Sequence, residues 1–95
     1  MRLTKEEIVS IKQVALSLDP NAKVYVLGSR LDDSKKGGDI DLLIESEILN
    51  RVSLLSFASE LDRSLGSKKI DLVLYHPSKR NSTYAEEMKK LAQEI

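Results

Sequence analysis

Apolar residues recur along this chain at two spacings, and each spacing predicts a different kind of secondary structure. In three segments they recur every three or four positions, which predicts helices with one buried face. Thr4 and Glu7 have the spacing of a capping box at the start of the first helix, and Asp19-Pro20-Asn21 is expected to end it. The apolar positions of this helix are Ile8, Ile11, Ala15 and Leu18.

The second and third helices follow the same spacing. Ser46 is a suitable N-cap for the second helix, and Gly66 is a suitable residue to end it. The apolar face of the second helix is predicted to consist of Ile48, Val52, Leu55, Ala58 or Leu61, and Leu65. The third helix is expected to begin near Ser82, and its apolar stripe is Tyr84, Met88, Leu91 and Ile95.

Three shorter apolar segments predict β-strands, because they have strand length and lie between turn-forming residues. They are Lys23–Leu27, Asp39–Glu45 and Lys69–Tyr75. The second strand, second helix and third strand form a βαβ unit, so these strands should be parallel with a right-handed crossover. The short linker makes the first two strands antiparallel. We therefore expect one α/β (α+β) domain over residues 1–95, with a small mixed β-sheet and helices packed mainly on one face.

The composition excludes several classes of protein. The 95 residues include 15 basic and 15 acidic side chains, and this formal net charge of zero argues against a nonspecific nucleic-acid binder. The absence of cysteine rules out disulfides, thiolate catalysis and cysteine-type zinc sites. Because no apolar run approaches the length of a membrane span and the first residues lack a signal-peptide pattern, we expect a cytoplasmic protein without membrane contact.

Acidic residues at the starts of two strands are the main chemical feature. Asp39 and Asp41 are two apart in one strand and therefore project from the same face. Parallel strands start at the same sheet edge, so Asp71 should join them there. The Gly28-Ser29 turn, which ends the first strand, should reach this edge too. Paired carboxylates suit Mg²⁺, and the amides of such a turn could face a phosphate, so the sequence predicts a metal–phosphate site.

Each of these residues also has a structural interpretation. The acids could simply mark the solvated starts of their strands, and Arg30, which follows the turn, could either reach a phosphate or remain solvated. The convergence of four separate segments on one edge favours the functional interpretation. Spacing alone does not choose between attack at the α-phosphorus and attack at the γ-phosphorus of a nucleoside triphosphate.

A strand, a Gly-Ser turn, a short linker and an acidic strand together resemble the signature of the DNA polymerase beta-like nucleotidyltransferase superfamily. The resemblance implies that Asp39 and Asp41 hold two Mg²⁺ ions, and that Gly28 and Ser29 hold the triphosphate. It also implies that Asp71 helps to bind one metal and activates the attacking hydroxyl. The implied reaction is nucleotidyl transfer, in which a hydroxyl attacks the α-phosphorus of ATP and pyrophosphate leaves.

The short chain is most similar to the minimal nucleotidyltransferase (MNT) group, which is commonly encoded beside a helical HEPN-family toxin. This resemblance implies an antitoxin that transfers AMP from ATP to a tyrosine hydroxyl of the toxin, since the partner then supplies the acceptor. Two alternatives stay open: an antitoxin that neutralises its partner by binding alone, and a nucleotidyltransferase that acts on a small-molecule acceptor after forming a homo-oligomer.

Overall fold

Seven helices and strands make up the part of the chain that the structure, a computed structural model, describes: residues 3–27, 40–66 and 70–95. None of the helices in these ranges is long and apolar enough to cross a membrane. In chain order the elements are α1 (Lys5–Leu18), β1 (Lys23–Val26), β2 (Ile40–Glu45), α2 (Arg51–Leu65), β3 (Ile70–Tyr75), α3 (Thr83–Leu91) and β4 (Gln93–Glu94).

The strands form one mixed sheet in the order β3-β2-β1-β4. β2 and β3 are parallel, and β1 is antiparallel to both β2 and β4, so the predicted strand directions are confirmed. β4 was not expected, because Ile95 was placed in the last helix. Instead the chain is extended after α3, and the Ile95 N–H donates to the Val24 carbonyl at 3.0 Å. This short segment supplies the outer edge of β1 with a hydrogen-bonding partner.

One face of the sheet carries the main core, covered by α1 and α2. Side chains that alternate along β1 and β2 point to this face and pack against the two helices. α3 lies on the opposite face, where Lys89 contacts Tyr25 and Glu45. The predicted small mixed sheet with helices mainly on one face is therefore confirmed. The core residues are Ile11, Ala15, Val24, Val26, Leu42, Ile44, Leu49, Phe57 and Leu61.

The ends of the helices agree with the sequence in part. Thr4 and Glu7 form the predicted capping box, with the Glu7 N–H donating to Thr4 Oγ1 at 3.0 Å and the Thr4 N–H donating to Glu7 Oε1 at 2.9 Å. Gly66 ends α2 as expected, with a φ of 82° that favours glycine. The predicted cap of α2 is wrong, however, because Asn50 rather than Ser46 is its N-cap.

The buried face of α2 also differs from the prediction. Phe57 and Leu61 are fully buried, and of the two predicted alternatives Leu61 is the buried one. Val52 and Leu55 are each 71% exposed, and Ile48, which precedes the helix, is 66% exposed. The helix has two apolar stripes, and the one that contains the large Phe57 ring faces the sheet because it removes more apolar surface from water. The other stripe is left on the surface.

The predicted stripe of the third helix is likewise not its buried face. Tyr84 and Leu91 are exposed and Met88 is half-buried, whereas Ala85 is buried. Ile95 lies beyond the helix and packs against the core from the end of the chain. The Tyr84 and Leu91 side chains consequently lie on the protein surface.

A buried polar pair joins the end of α1 to the end of β2. Ser46 and Asp19 are both buried, and Ser46 Oγ donates to Asp19 Oδ2 at 2.5 Å. Ser46 Oγ also accepts the N–H groups of Ile48 and Leu49, each at 3.1 Å. Asp19 Oδ1 accepts the Asn21 N–H at 2.9 Å. Ser46 therefore satisfies both the buried carboxylate and two amides that lead into α2.

We expect Ser46→Ala to destabilise the fold, because it leaves the buried Asp19 carboxylate and two amides without this partner. Such unsatisfied buried groups cost about 1–3 kcal/mol each, so the free energy of unfolding in urea should fall by at least about 1 kcal/mol. Ser56→Ala, at an exposed position of α2, is the matched control and should change it by less than about 0.5 kcal/mol. An unchanged unfolding midpoint in Ser46→Ala would contradict this role.

Candidate active site

Two of the predicted acids lie side by side at one edge of the sheet. Asp41 of β2 is directly opposite Asp71 of β3 in the parallel pairing. Their neighbours Leu42 and Leu72 point to the α1–α2 side, so both carboxylates project from the other face. Adjacent strands are about 4.8 Å apart, which places the two carboxylates next to each other. Asp41 is half-buried and Asp71 is exposed.

The end of β1 reaches the same edge. The Leu27 N–H donates to the Asp41 carbonyl at 3.0 Å, and Leu27 is followed in sequence by Gly28. The chain therefore enters the predicted phosphate-binding turn beside Asp41. This arrangement confirms that the starts of β2 and β3 and the end of β1 meet at one edge, as the βαβ topology predicted.

The other predicted site residues lie outside the described ranges. These residues are Gly28, Ser29, Arg30 and Asp39. Asp39 directly precedes Ile40, the first residue of β2, and Ile40 pairs with Ile70 of β3. The sequence predictions for the turn and for Asp39 stay predictions.

The described acids have the chemistry of a magnesium ligand set. Within residues 3–27, 40–66 and 70–95, no three acidic or histidine side chains come together as a metal-ligand group. Asp41 and Asp71 nevertheless offer two carboxylates, and Mg²⁺ is commonly held by one or two carboxylates together with phosphate oxygens and water. The pair therefore fits a cation that also binds a triphosphate.

α3 covers the half of this face that lies away from Asp41. Lys89 Nζ lies 3.5 Å from Glu45 Oε1, 4.7 Å from the centre of the Tyr25 ring and 5.5 Å from that of Tyr75. The Tyr25 hydroxyl donates to Glu45 Oε1 at 3.3 Å. This cluster, which sequence analysis did not find, joins α3 to three strands. In the sequence, the only indication of this cluster is Glu45, which lies on the same face of β2 as Asp41.

The cluster changes the acidity of two groups. Burial raises the pKa of Tyr25, and the negative charge of Glu45 raises it further. Burial acts to lower the pKa of Lys89, but the charges of Tyr25 and Glu45 outweigh it, so this pKa is also raised. The folded protein therefore holds protons at these two side chains to higher pH than the unfolded chain does.

We expect the stability of the fold to decrease in alkaline solution. Because both pKa values are raised, the stabilisation is present below the unfolded values near pH 10 and is lost as pH rises through the folded values. Urea unfolding at a series of pH values should show the free energy of unfolding falling as the pH rises, and this fall should be smaller in Tyr25→Phe. Tyr84→Phe removes an exposed tyrosine outside the cluster and should leave the slope of the free energy of unfolding against pH the same as in the native chain. A slope unchanged in Tyr25→Phe would show that the cluster is not responsible.

The fold and the edge of paired acids together define a small α+β domain of the kind that the sequence predicted for nucleotidyl transfer. Residues 8–93 match the family model described as a nucleotidyltransferase domain. The chain therefore belongs to this nucleotidyltransferase family, which confirms the resemblance noted in its sequence.

A solved structure supports the fold independently. The chain is similar to a crystal structure of a protein assigned as a nucleotidyltransferase, with a TM-score of 0.61 and 17% sequence identity. The similarity covers 93% of this chain and 96% of the other. At this level of identity it shows the shared fold alone. A search of curated proteins finds no match to the sequence.

Proposed function

We propose that this nucleotidyltransferase is an antitoxin that transfers AMP from ATP to a tyrosine hydroxyl of a HEPN-family toxin. The observation that carries the proposal is the register of β2 and β3, in which Asp41 lies opposite Asp71 at the edge reached by β1. Nucleotidyl transfer needs acids at such an edge, together with a turn that binds phosphate. The toxin partner and the tyrosine acceptor come from the resemblance to minimal nucleotidyltransferases.

The site residues have distinct proposed roles. Asp39, Asp41 and Asp71 would hold two Mg²⁺ ions, which when bound neutralise the charge of the triphosphate. Gly28, Ser29 and Arg30 would bind the triphosphate itself.

Asp71 would also act on the acceptor. Its carboxylate accepts the proton of the tyrosine hydroxyl. The phenolic oxygen then forms a bond to the α-phosphorus, the bond from the α-phosphorus to the bridging oxygen of the β-phosphate breaks, and pyrophosphate leaves.

The exposure of Asp71 suits an acceptor carried by another protein. Asp41 is half-buried, whereas Asp71 is exposed, and its carboxylate projects from the face of the sheet opposite α1 and α2. A hydroxyl on the surface of a partner could therefore approach Asp71 without rearrangement of the described core.

Mass spectrometry of the partner tests the proposal. The chain is incubated with the HEPN-family protein encoded next to it, ATP and Mg²⁺, and the partner is then analysed intact and after proteolysis. We expect a mass increase of one AMP on a tyrosine of the partner, lost when Mg²⁺ is chelated. Neutralisation of the toxin without any mass increase would instead support an antitoxin that acts by binding alone.

A further inference from the structure

The β3 strand is a sheet edge with little of the usual protection against pairing. It is the terminal strand in the order β3-β2-β1-β4, and β2 is its one strand partner in the described sheet. Its six residues, Ile70–Tyr75, include one charged side chain, Asp71, and no lysine, arginine or proline, the residues that most often prevent edge strands from pairing with another chain. The opposite edge is protected by its shortness, because β4 has two residues. β3 is therefore the edge that is suited to pairing.

Two depressions beside this edge are lined by charged α2 residues of opposite sign. A groove of about 590 Å³ lies at the end of β3, between α2 and α3, and its charged residues among those described are Arg51 and Arg80. A smaller depression of about 340 Å³ lies at the start of β3, and its charged residue is Asp62. Asp71 is exposed at the same end. Among the described residues, the α2 side chains that line these depressions are thus basic near the end of β3 and acidic near its start; Lys68 and Lys69, which precede β3 in the sequence, lie outside the described ranges.

We propose that a second copy of this chain binds here, with the two β3 strands antiparallel and one sheet continuous through both copies. A two-fold axis perpendicular to the sheet reverses the edge, so Arg51 of one copy lies at the same end of the interface as Asp62 of the other. It also keeps α2 of both copies on the same side of the sheet. The formal net charge of zero means that the copies do not repel each other overall.

The spacing of the charges on α2 matches the length of the strand. Arg51 and Asp62 are eleven residues apart, which is about 16 Å along a helix. Ile70 and Tyr75 are also separated by about 16 Å along an extended strand. Antiparallel pairing of β3 therefore places Arg51 of each copy near Asp62 of the other.

An apolar side chain lies between these charges. In the register that pairs Arg51 with Asp62, Leu55 faces Ala58 of the second copy. Leu55 is 71% exposed in the single chain, and the contact would remove it from water. A second copy thus accounts for the apolar edge, the exposed leucine and both charges at once.

A charge-exchange experiment by sedimentation equilibrium tests the proposal. Arg51→Glu and Asp62→Arg each bring like charges together and should weaken the dimer at least about tenfold in Kd. The double variant Arg51→Glu/Asp62→Arg restores opposite charges across the interface and should recover most of the affinity. Neither single change should destabilise α2, because an acidic residue at the start of a helix and a basic residue at its end both interact favourably with the helix dipole. Recovery of dimer affinity in the double variant cannot come from a contact within one chain, because residues 51 and 62 are about 16 Å apart along α2.

An apolar pair of variants provides the matched control. Leu55→Lys should weaken the dimer as strongly as Arg51→Glu, whereas Leu91→Lys, at a leucine that is 61% exposed on α3, should not. Hydrogen exchange should show the β3 amides of the native chain becoming more protected as its concentration rises. A chain that is monomeric at every concentration would overturn the proposal, as would a dimer unaffected by Arg51→Glu and Leu55→Lys. Protection of β3 only when another protein is added would assign the edge to that partner instead.

Discussion

Asp71→Asn is expected to lower AMP transfer by roughly 10²–10⁴-fold, the usual effect of losing a general base, while ATP binding largely survives. Asparagine keeps the shape of the side chain and one coordinating oxygen, but it cannot accept the proton of the attacking hydroxyl. Asp71 is exposed on the outer strand, so the substitution should leave the core intact. Single-turnover transfer and calorimetric ATP affinity, measured on the same preparation, separate the two effects.

Glu87→Gln is a suitable control for Asp71→Asn, because Glu87 is an exposed acid on α3 and its substitution changes the net charge equally. Transfer and ATP affinity should both remain unchanged in this variant. Sedimentation of Asp71→Asn should be compared with that of the native chain, since Asp71 lies on β3, the strand proposed to pair in the dimer. Full transfer activity in Asp71→Asn would show that another group removes the proton.

Asp41→Asn is expected to lose both metal-dependent ATP binding and transfer. Metal ions contribute several kcal/mol to stabilising the charge of a phosphoryl transition state, which corresponds to at least roughly 10²-fold in rate. The Leu27 N–H contacts the backbone carbonyl of Asp41, so this link to β1 is kept in the variant. Calorimetry with and without Mg²⁺ should show that the metal strengthens ATP binding to the native chain far more than to Asp41→Asn.

Because Asp41 and Asp71 have different proposed roles, the Asp41→Asn and Asp71→Asn results together test these roles against simpler explanations. If Asp41 and Asp71 were both only solvated residues at strand starts, neither substitution would change the effect of Mg²⁺ on ATP affinity. If the chain acted purely by binding a toxin, both variants would neutralise the toxin in cells as well as the native chain does. Equal ATP binding by the native chain in Mg²⁺ and in chelator would argue against a metal site at this edge.

The position of Asp41 beside Asp71 was predictable because it depends on strand order and alternation. The apolar segments defined β2 and β3, the βαβ connection required them to be parallel, and this placed Asp41 beside Asp71. Local signals predicted the capping box of α1 and the glycine that ends α2 equally well, since such contacts involve residues close in sequence.

The contacts that the sequence did not reveal join residues far apart in the chain. Two exposed residues of α2, Val52 and Leu55, were predicted to face the core, because they have helical spacing just as Phe57 and Leu61 do. Ser46 was expected to cap a helix, but its hydroxyl binds Asp19, which lies 27 positions earlier. No local pattern distinguishes these outcomes.

The sequence by itself determined the direction of the main strands and the meeting of Asp41 and Asp71 at one sheet edge, since these follow from periodicity and spacing within short segments, and its motif resembled that of the family to which the chain belongs. The tertiary structure alone decided which stripe of α2 is buried, how Lys89 joins α3 to the sheet, and that β3 remains an open edge beside exposed Leu55. The physical reason is that burial depends on the total apolar surface removed from water when all elements pack together. A stripe that is apolar in sequence becomes core or surface only in that competition.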